Sequence, residues 1–160
     1  MTPETDARVV VIGIGNELLG DDGVGILVAR AIEQRHLPGV RVLEHSGEGA
    51  SLMEAWSGVQ TVIIVDAVIS GSPPGTIHRF DAARAPLPQN AFQYSTHAFG
   101  LREAVEVARA LNLLPTRLVI YGIEGKSFAV GEEISAALAD AVALVSERIM
   151  EDVRAADLAP

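Results

Sequence analysis

The chain has short apolar runs separated by polar, glycine-containing stretches, a pattern typical of buried strands. Val9–Ile12 and Thr61–Val65 are apolar throughout or nearly so, which indicates strands covered on both faces, as in a parallel sheet. Val40–Leu43 and Arg117–Gly122 predict two more strands. Thr76–Phe80 predicts a short strand that follows the previous one without room for a crossover helix, so we expect it to be antiparallel.

Helical periodicity fills most of the intervals between these strands. Helices are predicted from Gly25 to about His36, over Ala50–Ser57, from near His97 onward with Leu101, Val105, Ala108 and Leu111 on one face, and over Glu133–Val153. Alternating strands and helices predict an α/β fold, a three-layer αβα sandwich. With 160 residues, the chain is expected to form a single domain over 1–160.

Composition narrows the possible functions. The formal net charge of −9 and the lack of a basic stripe argue against nucleic acid as a partner. The chain has no membrane-length apolar run and no signal-peptide pattern, so we expect a cytoplasmic protein with no membrane partner. It also has no cysteine, which excludes disulfides, a thiol nucleophile and thiolate ligands. Any metal must be held by oxygen and imidazole groups.

The segment after the first strand, GIGNELLGDDGVG at 13–25, allows three interpretations. A dinucleotide-binding loop is disfavoured, because Leu18 replaces the third glycine of its pattern and two carboxylates would repel a pyrophosphate. A tight turn in which Asp21 or Asp22 caps the next helix would explain the glycines and one acid. A metal or acid–base site would use both acids, but it needs partners elsewhere in the chain.

Two such partners can be found. Asp66 directly follows the buried strand Thr61–Val65, where a carboxylate is costly unless it is paired or ligated. His97 follows Ser95 and Thr96, either of which could cap the next helix and leave the imidazole available. In a parallel sheet, strand exits meet at one edge, where Asp22, Asp66 and His97 could form a site for nickel, zinc or manganese. Glu124, at the exit of the last strand, could touch this site, but the favoured interpretation is a loop carboxylate.

Four motifs in the same order carry a family resemblance. They are GIGNELLGDDGVG at 13–25, VDA at 65–67, STHAFGL at 95–101 and YGIEG at 121–125. Together they resemble the nickel-iron hydrogenase maturation endopeptidases, peptidase family M52, over nearly the whole chain. The resemblance implies a twisted five-stranded sheet between helices, mostly parallel with one antiparallel strand.

The resemblance also implies a function, which is removal of the C-terminal extension from the precursor of a hydrogenase large subunit after nickel insertion. The metal-contacting and catalytic positions of the family fall on Asp22, Asp66 and His97, whereas Glu17 does not match. The implied cofactor is nickel carried by the precursor, although another divalent metal would also suit these ligands. The implied partner is that precursor, and we expect a monomer. The alternative is a docking protein of the same fold that checks nickel without cutting.

Overall fold

The computed structural model describes residues 7–92 and 97–158. Its five strands are β1 (Val9–Ile14), β2 (Val40–His45), β3 (Thr61–Val68), β4 (Ile77–Asp81) and β5 (Arg117–Glu124). Its helices are α1 (Val24–Glu33), α2 (Gly49–Trp56), α3 (Leu101–Ala110) and α4 (Ala136–Asp157), and one turn of 3-10 helix, Gly20–Gly23, precedes α1. Across these two ranges, no helix is both long enough and apolar enough to cross a membrane.

The five strands form one sheet in the order β2-β1-β3-β5-β4. Four strands are parallel, and β4 is antiparallel to β5, as predicted for the strand that lacks a crossover helix. From β1 the chain moves outward to β2 and then returns to the other side of β1 to form β3. The strand order therefore reverses between β1 and β3, which is where ligand sites occur in open α/β sheets.

Helices cover both faces of the sheet, which confirms the three-layer sandwich. Along β1, Val10, Ile12 and Ile14 pack on one face with residues of α2 and α3. Val9 and Val11 pack on the other face with residues of α1 and α4. Because successive side chains of a strand point to opposite faces, burial on both faces explains why the whole of β1 is apolar.

Helix α1 packs closely against β1, and this contact requires two glycines. A Cβ atom on Gly13 would lie 2.1 Å from the carbonyl oxygen of Gly25, and one on Gly25 would lie 2.2 Å from that of Ile14 and 2.5 Å from that of Val65. Real Cβ contacts do not reach such distances. The two backbones therefore touch directly, and this close packing fixes the position of the loop between β1 and α1.

Among the element boundaries that differ from the sequence prediction, two change the position of predicted site residues. Strand β3 continues to Val68, so Asp66 lies within the strand opposite Gly122 of β5 instead of following it. Helix α3 begins at Leu101, with Gly100 as its N-cap, and the Gly100 N–H donates to Glu103 Oε2 at 3.1 Å. His97 therefore precedes the helix by several residues. The expected caps, Ser95 and Thr96, lie outside the described residues.

We predict that Gly25→Ala destabilises the protein by about 3 kcal/mol or more, because its methyl group must displace backbone carbonyls of two strands. Gly58→Ala is the control. No atom lies within 4 Å of a Cβ at Gly58, and its φ of +75° makes the substitution cost only the strain of a left-handed backbone, about 1–2 kcal/mol. Urea unfolding measures both effects, and equal losses would contradict the packing argument.

Candidate active site

The loop between β1 and α1 folds back on itself and presents Asp22. A Cβ atom on Gly15 would lie 2.1 Å from the carbonyl oxygen of Asp22, so only glycine permits this close approach. Asp22 Oδ2 accepts a hydrogen bond from the backbone N–H of Asn16 at 2.9 Å. This contact fixes one carboxylate oxygen and leaves the half-buried group beside the end of the sheet.

The neighbouring Asp21 has a different function, since it is 1% exposed and points away into the protein. It accepts hydrogen bonds from the backbone N–H groups of Lys126 at 2.7 Å, Ser127 at 3.1 Å and Ser135 at 2.7 Å, and from the Ser135 hydroxyl at 3.1 Å. Burial acts to raise the pKa of Asp21, but the hydrogen bonds from Ser135, Lys126 and Ser127 outweigh it and lower the pKa. Asp21 is therefore an ionised structural anchor.

Neither aspartate caps α1, which corrects one interpretation of this loop. The N-cap of α1 is Gly23, and it makes no side-chain capping bond. Asp21 instead ties the loop to the segment that leads into α4, and Asp22 remains directed toward the sheet edge. Because adjacent residues on one turn of helix point in different directions, two consecutive acids can serve two separate purposes.

Asp66 and Asp22 face each other across the gap between β3 and the loop. Asp66 Oδ1 accepts a hydrogen bond from the backbone N–H of Ala67 at 2.8 Å. Burial raises the pKa of Asp66 well above its usual range, and the negative charge of Asp22 raises it further. Burial also raises the pKa of Asp22, opposed by its bond from Asn16. Two carboxylates that disfavour each other's ionisation in this way are suited to a proton or a cation between them.

A small cavity of about 40 Å³ lies between these carboxylates. Asp22, Asp66 and the backbone of Gly15 contribute its polar side, and Phe92, Leu101 and Phe128 are among the apolar residues that line the rest. A volume of this size accommodates an ion or a water molecule. The two predicted carboxylate ligands therefore line one small cavity at the switch point of the sheet.

His97 lies at the same edge but does not line this cavity. Its Nε2–H donates to the backbone carbonyl of Ser46 at 3.2 Å, and it lines an adjoining open groove together with Asp22. Within residues 7–92 and 97–158, no three His, Asp or Glu side chains are close enough to hold an ion together. The structure thus pairs Asp22 with Asp66 and places His97 one loop away, and the three-residue metal site stays a prediction.

Strand β2 ends at His45, which the sequence analysis did not single out, and the loop that follows it begins with Ser46. The backbone N–H of Gly47 donates to His45 Nδ1 at 2.9 Å, so His45 carries its proton on Nε2 and donates to Ser51 Oγ at 2.9 Å. Burial lowers the pKa of His45, which favours this neutral form. His45 therefore fixes the loop whose Ser46 carbonyl contacts His97.

Glu124 is a buried structural residue, so its interpretation as a loop carboxylate was wrong. It is the last residue of β5 and accepts hydrogen bonds from the backbone N–H groups of Ser70 at 2.7 Å and Gly71 at 2.9 Å. The Ser70 hydroxyl at 2.8 Å and His78 Nε2 at 3.3 Å complete its contacts. Burial acts to raise the pKa of Glu124, but these bonds lower it overall. Glu124 holds the turn that follows Ile69, a residue of the cavity wall.

Comparison with known proteins identifies relatives of this chain. The sequence model HycI, hydrogenase maturation protease, matches residues 26–153. The hydrogenase 2 maturation protease of Escherichia coli K12 is 31% identical over 153 residues, which cover 93% of this chain and 90% of that protein. HupD of Rhodobacter capsulatus, a hydrogenase expression/formation protein, is 32% identical over 146 residues, or 84% of this chain and 70% of that protein. The chain spans 55% of the length of HupD from Thiocapsa roseopersicina.

Solved structures share this architecture. The hydrogenase maturating endopeptidase HybD from E. coli superposes with a TM-score of 0.77 over 92% of both chains, at 22% identity. The [NiFe] hydrogenase maturation protease HycI from Thermococcus kodakarensis KOD1 superposes with a TM-score of 0.70 over 91% of both chains, at 26% identity. The likeness to HybD establishes the fold alone.

We predict that Asp66→Asn stabilises the metal-free protein. The amide can keep the bond from Ala67 and removes a buried charge beside Asp22. Because the pKa of Asp66 is raised in the folded state, unfolding free energy falls as pH rises from the unfolded value near 3.8 through the folded value. The gain should therefore be absent at acid pH and reach roughly 2–4 °C in melting temperature near neutrality, or about 1 kcal/mol. Calorimetry against pH would contradict this if the variant melted lower throughout.

We also predict opposite consequences for the two adjacent aspartates. Asp21→Ala leaves three partly buried backbone N–H groups without their acceptor and should cost about 3 kcal/mol or more. Asp22→Ala removes one accepted bond and relieves the repulsion with Asp66, so stability should change by less than about 1 kcal/mol. Urea unfolding of the two variants distinguishes the structural anchor from the site residue. Similar losses of unfolding free energy in both would show that both aspartates are structural.

Proposed function

Because this chain belongs to the hydrogenase maturation protease family, a family of peptide hydrolases, we propose that it cuts the C-terminal extension from the precursor of a nickel-iron hydrogenase large subunit and recognises the nickel in that precursor. The family match, over residues 26–153, supports the proteolytic activity. Recognition of nickel is a separate step of the proposal, and it draws its support from the site.

The observation that carries the nickel proposal is the pair of facing carboxylates. Asp22 and Asp66 line one cavity of about 40 Å³, and the pKa of each is raised. A divalent cation placed between them would offset their repulsion and favour the ionised form of both. Oxygen and imidazole ligands suit a first-row ion such as nickel, so the donor set at this edge fits the proposed ion.

The small number of ligands supports an ion that arrives with the substrate. A resident structural ion usually has four protein ligands, whereas this cavity has two carboxylates and His97 lies in the adjoining groove. The chain also has no cysteine to supply a thiolate. Nickel is therefore part of the substrate in this proposal, and Asp22 and Asp66 would contact it through positions that the precursor leaves open.

Hydrolysis of the scissile peptide adds water across one bond. The water oxygen bonds to the carbonyl carbon, the C–N bond breaks, and the departing nitrogen takes a proton. We assign the proton transfers to the predicted site residues, Asp22, Asp66 and His97, which are side-chain types that serve as general acids and bases. The nickel would supply positive charge near the reacting groups, and the carboxylates would orient the precursor against it.

The proposal also covers the partner of this chain, its oligomeric state and its location. Hydrogenase maturation proteases act on large-subunit precursors, so the partner of this chain is proposed to be such a precursor. We propose that the chain meets it as a monomer in the cytoplasm. The competing candidate, a docking protein that checks nickel without cutting, would use the same carboxylate pair, and cleavage separates the two.

The experiment is cleavage of purified precursor, loaded with nickel or free of it, by enzyme treated with a chelator and then freed of the chelator. We expect cutting of the loaded precursor only, with the product identified by electrophoresis and mass spectrometry. Equal cutting of both forms would contradict nickel recognition. Binding of the loaded precursor without any cutting would favour the docking alternative.

His97→Ala is the informative variant in this assay. Loss of a metal ligand or of a group that supports one commonly reduces affinity or activity by about 10- to 100-fold, and we expect at least that loss in processing with an unchanged melting temperature. Glu54→Ala, on an outward-facing position of α2, is a control expected to cut normally. A His97 variant that melts lower in proportion to its lost activity would show a structural residue.

A further inference from the structure

An open groove adjoins the carboxylate cavity on the side of His97. Its volume is about 720 Å³, and it shares Gly15, Asp22 and Ser46 with the cavity. The segment from Asn16 to Leu19 lines it, as do Glu44, His45 and His97. Asp22 therefore borders both spaces, so a molecule in the groove would contact the group that faces Asp66.

The cavity and the groove differ in size, so they accommodate different groups. The cavity of about 40 Å³ is too small for an amino-acid residue, whereas the groove falls within the roughly 300–1,000 Å³ of ligand-binding clefts. A peptide cut at this site must pass close to Asp22 in an accessible conformation. The groove is the larger of these two spaces that meet at Asp22, and it is open to solvent.

Leu18 presents an apolar side chain at this groove although it is 69% exposed. Its backbone is fixed from both sides, because its N–H donates to Asn16 Oδ1 at 3.0 Å and its carbonyl accepts from the Gly131 N–H at 2.8 Å. The segment bonded to it carries a second exposed apolar residue, Val130, at 81%. An apolar side chain held in water by an ordered backbone is preorganised for contact with a partner.

A charged bridge fixes the groove wall next to Leu18. Arg30 donates to both carboxylate oxygens of Glu17, at 2.9 and 3.1 Å, and also to Glu44 Oε1 at 2.9 Å. Hydrogen bonding and charge from Arg30 lower the pKa of Glu17, so this acid is ionised. Two carboxylates share one guanidinium, which leaves the bridge net negative and disfavours acidic residues in whatever binds there.

We propose that this groove binds an extended segment of the precursor next to the scissile bond, and that Leu18 is its main apolar contact. The inference rests on the proposed function, because it takes the precursor as the partner. The bound segment has an apolar residue against Leu18 and no acidic residue against the bridge of Glu17, Arg30 and Glu44. Leu18 thereby sets substrate affinity, while the carboxylate pair acts at the reacting groups.

The test compares Leu18→Ser with Leu113→Ser. Leu113 is 57% exposed in the connection between α3 and β5, at the opposite edge of the sheet, and its N–H donates to the Ala108 carbonyl at 2.8 Å. We expect Leu18→Ser to raise KM for the nickel-loaded precursor about ten-fold with kcat and melting temperature unchanged. Leu18→Met should restore most of the affinity, and Leu113→Ser should match the wild type.

Equilibrium binding of the same precursor, measured without cleavage, separates this inference from the proposed function. If the wild type binds but does not cut, the proteolytic function fails, and a Leu18→Ser loss of binding still supports the groove. The proposal that this groove binds the precursor is overturned if the Leu18→Ser and Leu113→Ser variants bind with equal affinity, whether or not cutting occurs. It is also overturned if the wild type does not bind the precursor. A wild-type dimer in sedimentation that Leu18→Ser dissociates would also overturn it, since the occupant would be a second copy.

Discussion

The repulsion between Asp22 and Asp66 is the constraint to which the rest of the structure is adapted. Two carboxyl groups beside a partly apolar cavity are unfavourable as a pair of charges, since burial raises the pKa of both and the charge of Asp22 raises the pKa of Asp66 further. The fold holds them there through backbone contacts that do not depend on the charges. Asp66 is held by the pairing of β3 with β5, and Asp22 by the loop beneath α1. The unfavourable pair persists because neighbouring packing overdetermines it.

That packing explains why the site lies where it does. The direct contact of Gly13 with Gly25 brings the start of α1 down onto the end of β1, and the reversal of strand order opens a gap between β1 and β3 at the same point. The loop after β2 closes the gap from the other side, held by the His45 hydrogen bonds. Two loops therefore meet at one edge, on either side of the gap, and each is fixed by its own local contacts.

The sequence predicted most of this fold because strands that are buried on both faces are apolar throughout, as β1 and β3 nearly are. It predicted Asp22 and Asp66 as neighbours because parallel strands end together. It misplaced the start of α3, since the N-cap is Gly100, whose N–H donates to Glu103, and glycine is a weaker N-cap signal than the preceding serine. It missed Glu124 because the partners of this residue, Ser70 and Gly71, are distant in sequence. Nothing local distinguishes Asp21 from Asp22 as the site residue, and the family resemblance supported the choice of Asp22.

The contacts of Asp21 have an evolutionary consequence. Three of its four donors are main-chain N–H groups, those of Lys126, Ser127 and Ser135. A main-chain donor is present whatever the side chain, except at proline, so these three contacts with Asp21 do not restrict which side chains stand at the donor positions. The segment between β5 and α4 is not free to change in length, because an inserted or deleted residue would move the Ser135 donor relative to the other two. We therefore expect related chains to vary in residue identity here while keeping the number of residues, with proline absent from these three positions.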